Sequence, residues 1–322
     1  MKAIVRTGYG SPDVLQLKEV EKPVPNDEQV LVRILAASAN ALDWHGMRGS
    51  PFVARVGQGW RRPKDPRMGA DIAGRVEAVG SGVTQFKPGD EVFGICAGGF
   101  AEYTCPREAR LALKPTNVSF EEAAAVPVAG ITALQALRDK GRIQAGQKVL
   151  VNGASGGVGT FAVQIAKSYG TEVTGVCSTR NLDQTRSIGA DHVIDYTQED
   201  FTRGGQLYDL ICDVASNRSV FAYRRALKPQ GICAIVGFSS FSRLFEHLIM
   251  GSLVSRAGSK KVGFMGIAKV TQKDLTFLKE LIETRNVRPV VDRRYPLSEA
   301  AEAIRYLEEG HARGKVVIVP ES

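Results

Sequence analysis

The feature that most constrains this 322-residue chain is an eight-residue turn, Asn152-Gly153-Ala154-Ser155-Gly156-Gly157-Val158-Gly159. It sits directly after the apolar run Val149-Leu150-Val151 and directly before the helix-patterned stretch Thr160–Tyr169. A strand, a glycine turn and a helix in immediate succession are the start of a βαβ unit with a parallel sheet. Glycines at 153 and 156 allow a tight turn and close approach of backbone amides to a pyrophosphate. The unpaired N–H groups at the helix start favour its negative charge, and glycine at 159 lets helix and strand lie close. The turn therefore predicts a dinucleotide site built from Gly153, Ser155, Gly156, Gly157 and Val158.

Which dinucleotide binds is read about 20 residues on, at the end of the second strand, where an acid would accept hydrogen bonds from a ribose diol. The residues there are Cys177-Ser178-Thr179-Arg180-Asn181. No acid is present; Ser178 and Thr179 can donate, and Arg180 can neutralise a 2′-phosphate. This favours NADPH over NADH, the competing reading being that Arg180 is a solvated loop cation.

Beyond the turn the texture is that of alternating strands and helices: Glu172–Val176, Leu182–Ile188, His192–Ile194, Leu207–Val214, Val220–Ala226 and Ile232–Val236. Such alternation means parallel strands covered by helices on both faces. Before Phe120 the pattern is different, with short β-rich runs separated by Gly, Pro and Asp, as in an antiparallel barrel. After Thr271 come a helix to Arg285, a strand at Val290–Asp292, a helix at Ser298–Glu309 with Ser298 as N-cap, and a closing strand at Lys315–Val319. A chain of this length exceeds one ordinary core, so two are expected.

Other classes fare less well. No run of about 20 apolar residues is present to span a bilayer, and Met1–Arg6 reads as a strand rather than a signal peptide. The five cysteines (Cys96, Cys105, Cys177, Cys212, Cys233) form no C-x-x-C pair, which suits buried free thiols in a reducing, cytoplasmic compartment. The net charge of +8 is spread along the chain. Its nearest cluster, Arg55, Arg61, Arg62, Lys64 and Arg67, lies among prolines and glycines and reads as a solvated loop or a cover over an anionic ligand, not a nucleic-acid patch.

The assembled motifs resemble the medium-chain dehydrogenase/reductase superfamily, in its zinc-free quinone oxidoreductase and enone reductase branch. They are Lys2-Ala3-Ile4-Val5, Gly69-Ala70-Asp71-Ile72-Ala73-Gly74, Pro88-Gly89-Asp90-Glu91-Val92-Phe93-Gly94, Gly98-Gly99-Phe100-Ala101-Glu102-Tyr103, Ala124-Ala125-Val126-Pro127 and the turn at Gly153. The resemblance covers essentially the whole chain. It implies a doubly wound Rossmann domain (residues 123–269) inserted in a chaperonin-10-like (GroES-like) β-barrel catalytic domain (1–122 and 270–322). A homodimer through the Rossmann sheet edge is implied as well, Lys260–Ala268 reading equally as that edge or as an interior strand.

Zinc alcohol dehydrogenases of the superfamily carry a Cys, a His and a Cys where this chain has Asn40, Ala70 and Val128. The resemblance thus implies no metal, and hydride transfer from NADPH to an acceptor already electron-poor, a quinone or an α,β-unsaturated carbonyl. The rivals are a zinc-free NADP-dependent alcohol or carbonyl reductase and a non-catalytic NADPH-binding protein. By the same resemblance Asn40 and Thr132 lie near the nicotinamide, Tyr196 flanks the adenosine, and Gly237, Phe238, Gly314 and Lys315 contact the cofactor through their backbone. Asp43 reads as a supporting or domain-contact residue, and His45 as a proton-relay candidate against a structural histidine. The amphipathic stretch from Ser239 to Lys260 reads as a cleft cap or a subunit contact.

Overall fold

The computed structural model describes residues 1–50, 55, 59–237, 243, 245–247, 249–251 and 258–321. The chain forms two compact units: Met1–Ala129 with Val270–Thr284 and Pro289–Ser322, and Gly130–Lys269 with Arg285–Arg288. The expected boundary at 122/123 therefore falls seven residues early. Residues 123–129 stay with the first unit, where the Val128 N–H donates to Asp71 Oδ1 at 3.0 Å.

In the first unit, β1 (Lys2–Arg6) and β2 (Leu15–Glu19) form an antiparallel pair. The main sheet has seven strands. Its order is Val291–Pro296, Lys315–Val319, β3 (Val30–Ala39), β4 (Asp71–Val79), β5 (Glu91–Ile95) and β7 (Leu111–Leu113), with β6 (Tyr103–Thr104) paired to β3 off that path. All pairings are antiparallel except that between the first two strands named. β3 is buried along most of its length because it is flanked on both edges, and its Val30, Val32 and Ile34 pack with Ile72, Val92, Phe100, Val316 and Ile318 in one core. The antiparallel character expected of the first third is what forms, completed by the two C-terminal strands.

One boundary differs. The last helix spans Ala300–Glu308 after a 3₁₀ turn at Leu297–Glu299, and Ser298 is not its cap. The Ser298 hydroxyl instead donates to Glu321 Oε1 at 2.8 Å.

In the second unit a six-stranded parallel sheet runs in the order β10 (His192–Asp195), β9 (Glu172–Cys177), β8 (Lys148–Asn152), β11 (Tyr208–Asp213), β12 (Leu227–Ile235) and β13 (Lys261–Phe264). β8 and β11 are central, and their middles, Val149-Leu150-Val151 and Leu210-Ile211-Cys212, are apolar and buried, as strands covered on both faces must be. β12 starts at Leu227 rather than Ile232: Tyr208 pairs with Leu227 but Leu210 with Ile232, so residues 228–231 bulge out of register. Among the described residues β13 takes an edge position, so Lys261–Phe264 is not an interior strand of this sheet. The helices α4 (Gly157–Ser168), α5 (Leu182–Ser187) and α6 (Val220–Ala226) follow their strands as the alternation requires.

The five cysteines are free; Cys177, Cys212 and Cys233 are buried. Burial pushes the Cys96 thiol up to about 12, so it stays protonated and unreactive at neutral pH. No helix among the described residues is long and apolar enough to cross a membrane.

Candidate functional site

Two constellations stand out, one in each unit. In the first unit the end of β3, the start of β4 and the start of the strand Lys315–Val319 converge, and each delivers a polar side chain into an apolar surrounding. Asp71 is fully buried, Lys315 is 3% exposed and Asn40 is 7% exposed. Such groups persist in a core only when hydrogen-bonded and charge-compensated, and here they are. Asp71 Oδ2 accepts from Ser38 Oγ (2.9 Å), Asn40 Nδ2 (2.9 Å) and Lys315 Nζ (3.2 Å), while Oδ1 accepts from the Val128 N–H. Lys315 Nζ also donates to Asn40 Oδ1 at 2.5 Å.

Asn40 precedes α1 (Ala41–Arg48), and its N–H donates to Asp43 Oδ2 at 2.8 Å. Asp43 is buried, and desolvation, then the proximity of Asp71, raises its carboxyl to about 7. It thus supports the helix start while holding a proton for much of the neutral range. His45, further along α1, stacks on Trp44 with ring centroids 3.6 Å apart. Its Nδ1 lies 3.0 Å from the Ser50 carbonyl oxygen, so Nδ1 carries the proton and donates it. Burial lowers its pKa, and the neutral ring then offers Nε2 as an acceptor. At neutral pH this geometry suits a structural histidine better than a proton donor.

In the second unit the turn after β8 has the shape the sequence implies. Gly153 takes φ +87°, and a Cβ at Gly159 would lie 1.9 Å from the Gly153 carbonyl oxygen. The first backbone bond of α4 runs from Thr160 N–H to Gly156 O. Among the described residues Gly157, Val158 and Gly159 keep N–H groups with no backbone acceptor, the arrangement that takes an anion. A Cβ at Gly156 would meet nothing nearer than Gly153 O, 3.7 Å away, so the mouth of the turn is open for a ligand.

At the end of β9, Asn181 organises the hydroxyls. Its Nδ2 donates to Ser155 Oγ (3.0 Å) and Ser178 Oγ (3.2 Å), joining the glycine turn to the second strand's end. Thr179 Oγ1 donates to Asp195 Oδ2 at 2.6 Å, and Asp195 also accepts from Thr197. Thr179 is thereby engaged with an acid that β10 brings alongside, a partner the sequence reading did not anticipate. Arg180 is exposed at the same end, and Tyr196, directly after Asp195 and with its N–H on the Cys177 carbonyl at 3.0 Å, is 49% exposed.

Thr132 lies half-buried on α3 (Pro127–Gln135). Gly237 follows β12, close to the Val214 carbonyl; Phe238 and most of 239–257 lie outside the described residues. Gly314 takes φ +134°. The Lys315 N–H is engaged with Val290 O at 2.8 Å, so it is not a free backbone donor, and the Lys315 side chain joins the buried cluster. In the basic loop, Arg67 is held by Asp65 and Arg55 covers the Tyr9 ring at 4.6 Å, whereas Arg61, Arg62 and Lys64 are exposed. Sequence reasoning missed the hub role of Asp71 and the bridging role of Asn181. Among the described residues no group of three or more His, Cys, Asp or Glu is placed to hold a metal ion.

Comparison with known proteins agrees with this geometry. Residues 26–116 match the alcohol dehydrogenase GroES-like domain, and residues 188–318 match the zinc-binding dehydrogenase family. The chain is 33% identical to a chloroplastic quinone oxidoreductase of Triphysaria versicolor, covering 99% of this chain and 98% of that one. It is 35% identical to the chloroplastic NADPH-dependent alkenal/one oxidoreductase of Arabidopsis thaliana, covering 99% and 80%. Among solved structures, the quinone oxidoreductase from Coxiella burnetii superposes with a TM-score of 0.86 at 32% identity over 99% of both chains. With relatives matched over its whole length and both family models in place, the chain belongs to the medium-chain dehydrogenase/reductase superfamily, in its quinone oxidoreductase branch.

Proposed function

We propose that this chain is an NADPH-dependent reductase that transfers hydride to a quinone or an α,β-unsaturated carbonyl without a metal ion, acting as a homodimer in the cytoplasm. The observation that carries this reading is the composition of the buried cluster in the first unit. Where zinc relatives place metal ligands, this chain has Asn40, Ala70 and Val128. The nearby carboxylate of Asp71 is satisfied by four protein donors, one of them the Lys315 ammonium. A carboxylate so compensated has no need of a cation. An electron-poor acceptor requires only a hydride donor, orientation and a proton, and the dihydronicotinamide supplies the hydride when bound.

The open glycine turn, with the N–H groups of Gly157, Val158 and Gly159, fits a pyrophosphate. Ser178 and Arg180 are the residues we assign to the 2′-phosphate, Tyr196 to the adenosine face, and Asn40, Thr132, Gly237, Phe238, Gly314 and Lys315 to the remainder of the cofactor. A relative named as NADPH-dependent supports the choice of NADPH. The β13 edge of the parallel sheet is the surface we assign to the dimer.

The test is NADPH oxidation against a panel of quinones, alkenals and saturated aldehydes, with elemental analysis for zinc. We expect turnover with the first two classes and no stoichiometric metal. Turnover of saturated aldehydes alone would replace this reading with that of a carbonyl reductase, and saturable NADPH binding without any turnover would leave a binding protein. Light scattering that returns the mass of one chain at micromolar concentration would remove the dimer.

A further inference from the structure

The donors in the buried cluster are not equally available. The Asn40 amide has two N–H groups, one directed to Asp71 Oδ2 at 2.9 Å and one to the Ser38 carbonyl at 3.3 Å, and its oxygen already accepts from Lys315. Asn40 can offer a new donor only by breaking its bond to Asp71 or to Ser38. The ammonium of Lys315 has three N–H groups. Two are taken, by Asn40 Oδ1 and Asp71 Oδ2, and among the described residues the third has no acceptor. It belongs to a side chain 3% exposed, held in one place by two acceptors and desolvated. A fixed cationic donor in a low-dielectric surrounding is worth most where negative charge develops during a reaction.

We infer that Lys315 is the catalytic acid of the hydride transfer, its third N–H directed at the carbonyl oxygen of the acceptor, with Asp71 as the positioning residue that holds the ammonium in place. This rests on the functional reading above. With an α,β-unsaturated carbonyl, the acceptor gains a hydride and its electron pair at the β-carbon as the nicotinamide is oxidised, and the displaced π electrons gather on the carbonyl oxygen. The oxygen takes a proton from Lys315, an O–H bond forming as an N–H bond breaks, and the resulting neutral amine is reprotonated from water. The enol then tautomerises to the saturated ketone. An electron-poor quinone gives a much more stable oxyanion and leans less on the acid.

Lys315→Met isolates the donor. Lys315→Met combined with Asp71→Asn removes both charges, so that no buried carboxylate is left unpaired if the single variant folds poorly. We expect turnover of a simple enone to fall about 100-fold or more and that of a halogenated quinone no more than about tenfold, the size of effect general acids and oxyanion donors produce. Equal losses with both acceptors, or a rise in the NADPH Kd that accounts for the whole loss, would overturn the assignment. A second readout needs no turnover. 4-Nitrophenol bound to the NADP⁺-loaded protein should carry the absorbance of its phenolate below its solution pKa in the wild type and of its phenol in both variants; phenolate in the variants overturns the assignment. If the wild type ionises the bound phenol yet reduces no acceptor, the functional reading fails while the oxyanion-binding role of Lys315 stands.

Discussion

A Cβ built on Gly159 falls 1.9 Å from the carbonyl oxygen of Gly153, so the first turn of α4 rests on the backbone of the loop that precedes it. Backbone cannot swing aside as a side chain can. Gly159→Ala must therefore push the helix off the sheet, and we expect it to destabilise the second unit by about 1–3 kcal/mol or more, the usual cost of overpacking. Gly156→Ala is the control: φ is −82° there and its Cβ would meet only Gly153 O at 3.7 Å. It should unfold in urea like the wild type while its methyl group obstructs the pyrophosphate and raises the NADPH Kd about tenfold or more. Urea titration and NADPH fluorescence on the same samples separate the two effects. Equal stability of the two variants would sink this account of the turn.

Arg180 bears on which cofactor binds. Thr179 is committed to Asp195 at 2.6 Å, and Ser178 and Arg180 are the residues we assign to a 2′-phosphate. Charged hydrogen bonds of this kind contribute about 1.5–3 kcal/mol, so Arg180→Ala should raise the NADPH Kd by about 10- to 100-fold and leave that of NADH nearly unchanged. Parallel fluorescence titrations decide it; an equal change for both cofactors would make Arg180 a general cation and not a phosphate ligand.

What could be read in the sequence, and what could not, divides along a physical line. The Gly153 turn was legible because its requirements are local: a strand, a left-handed residue, a helix start, all within a dozen positions. The alternation after it, the apolar middles of β8 and β11, and the antiparallel first third were legible for the same reason. The Asp71 hub was not, because its donors come from positions 38, 40, 128 and 315, and only the sheet brings them together. A signal existed. Asp71 and Lys315 are charges at the heads of two apolar runs, Ile72-Ala73 and Val316-Val317-Ile318, and a charge entering a core calls for an opposite one. The Ser298 cap failed because an alternative acceptor, Glu321, lies far along the chain, and the β12 start failed because a bulge hides the pairing of Leu227.

His45 can be removed from the chemistry by one measurement. Its Nδ1 proton is committed to the Ser50 carbonyl at 3.0 Å, and burial keeps the ring neutral to lower pH than usual, so it has no proton to deliver near pH 7. General acid–base groups contribute about 100-fold or more to rate. We expect His45→Gln to change kcat by less than about threefold at every pH from 6 to 8. A loss near 100-fold, with a shifted pH profile, would restore the relay.

Asp43 should set an unusual pH dependence for the stability of the first unit. Burial first, and the neighbouring Asp71 second, raise its carboxyl to about 7, against about 3.9 in an unfolded chain. Between those values the folded state holds a proton that the unfolded state has released. Stability from this group therefore falls as the pH climbs from about 4 to about 7 and is level above, the reverse of a salt-bridged carboxylate. A shift of about three units sets an upper bound of about 4 kcal/mol, lowered in practice by relaxation around the charge. Asp43→Asn keeps an oxygen to accept the Asn40 N–H but cannot ionise. Relative to the wild type it should be about as stable at pH 4 and more stable by about 1–3 kcal/mol at pH 8, compared by urea unfolding at both values. Because other titrating groups are common to both proteins, the difference isolates Asp43, and a difference that does not change with pH would mean that the carboxyl ionises in the fold as it does in water.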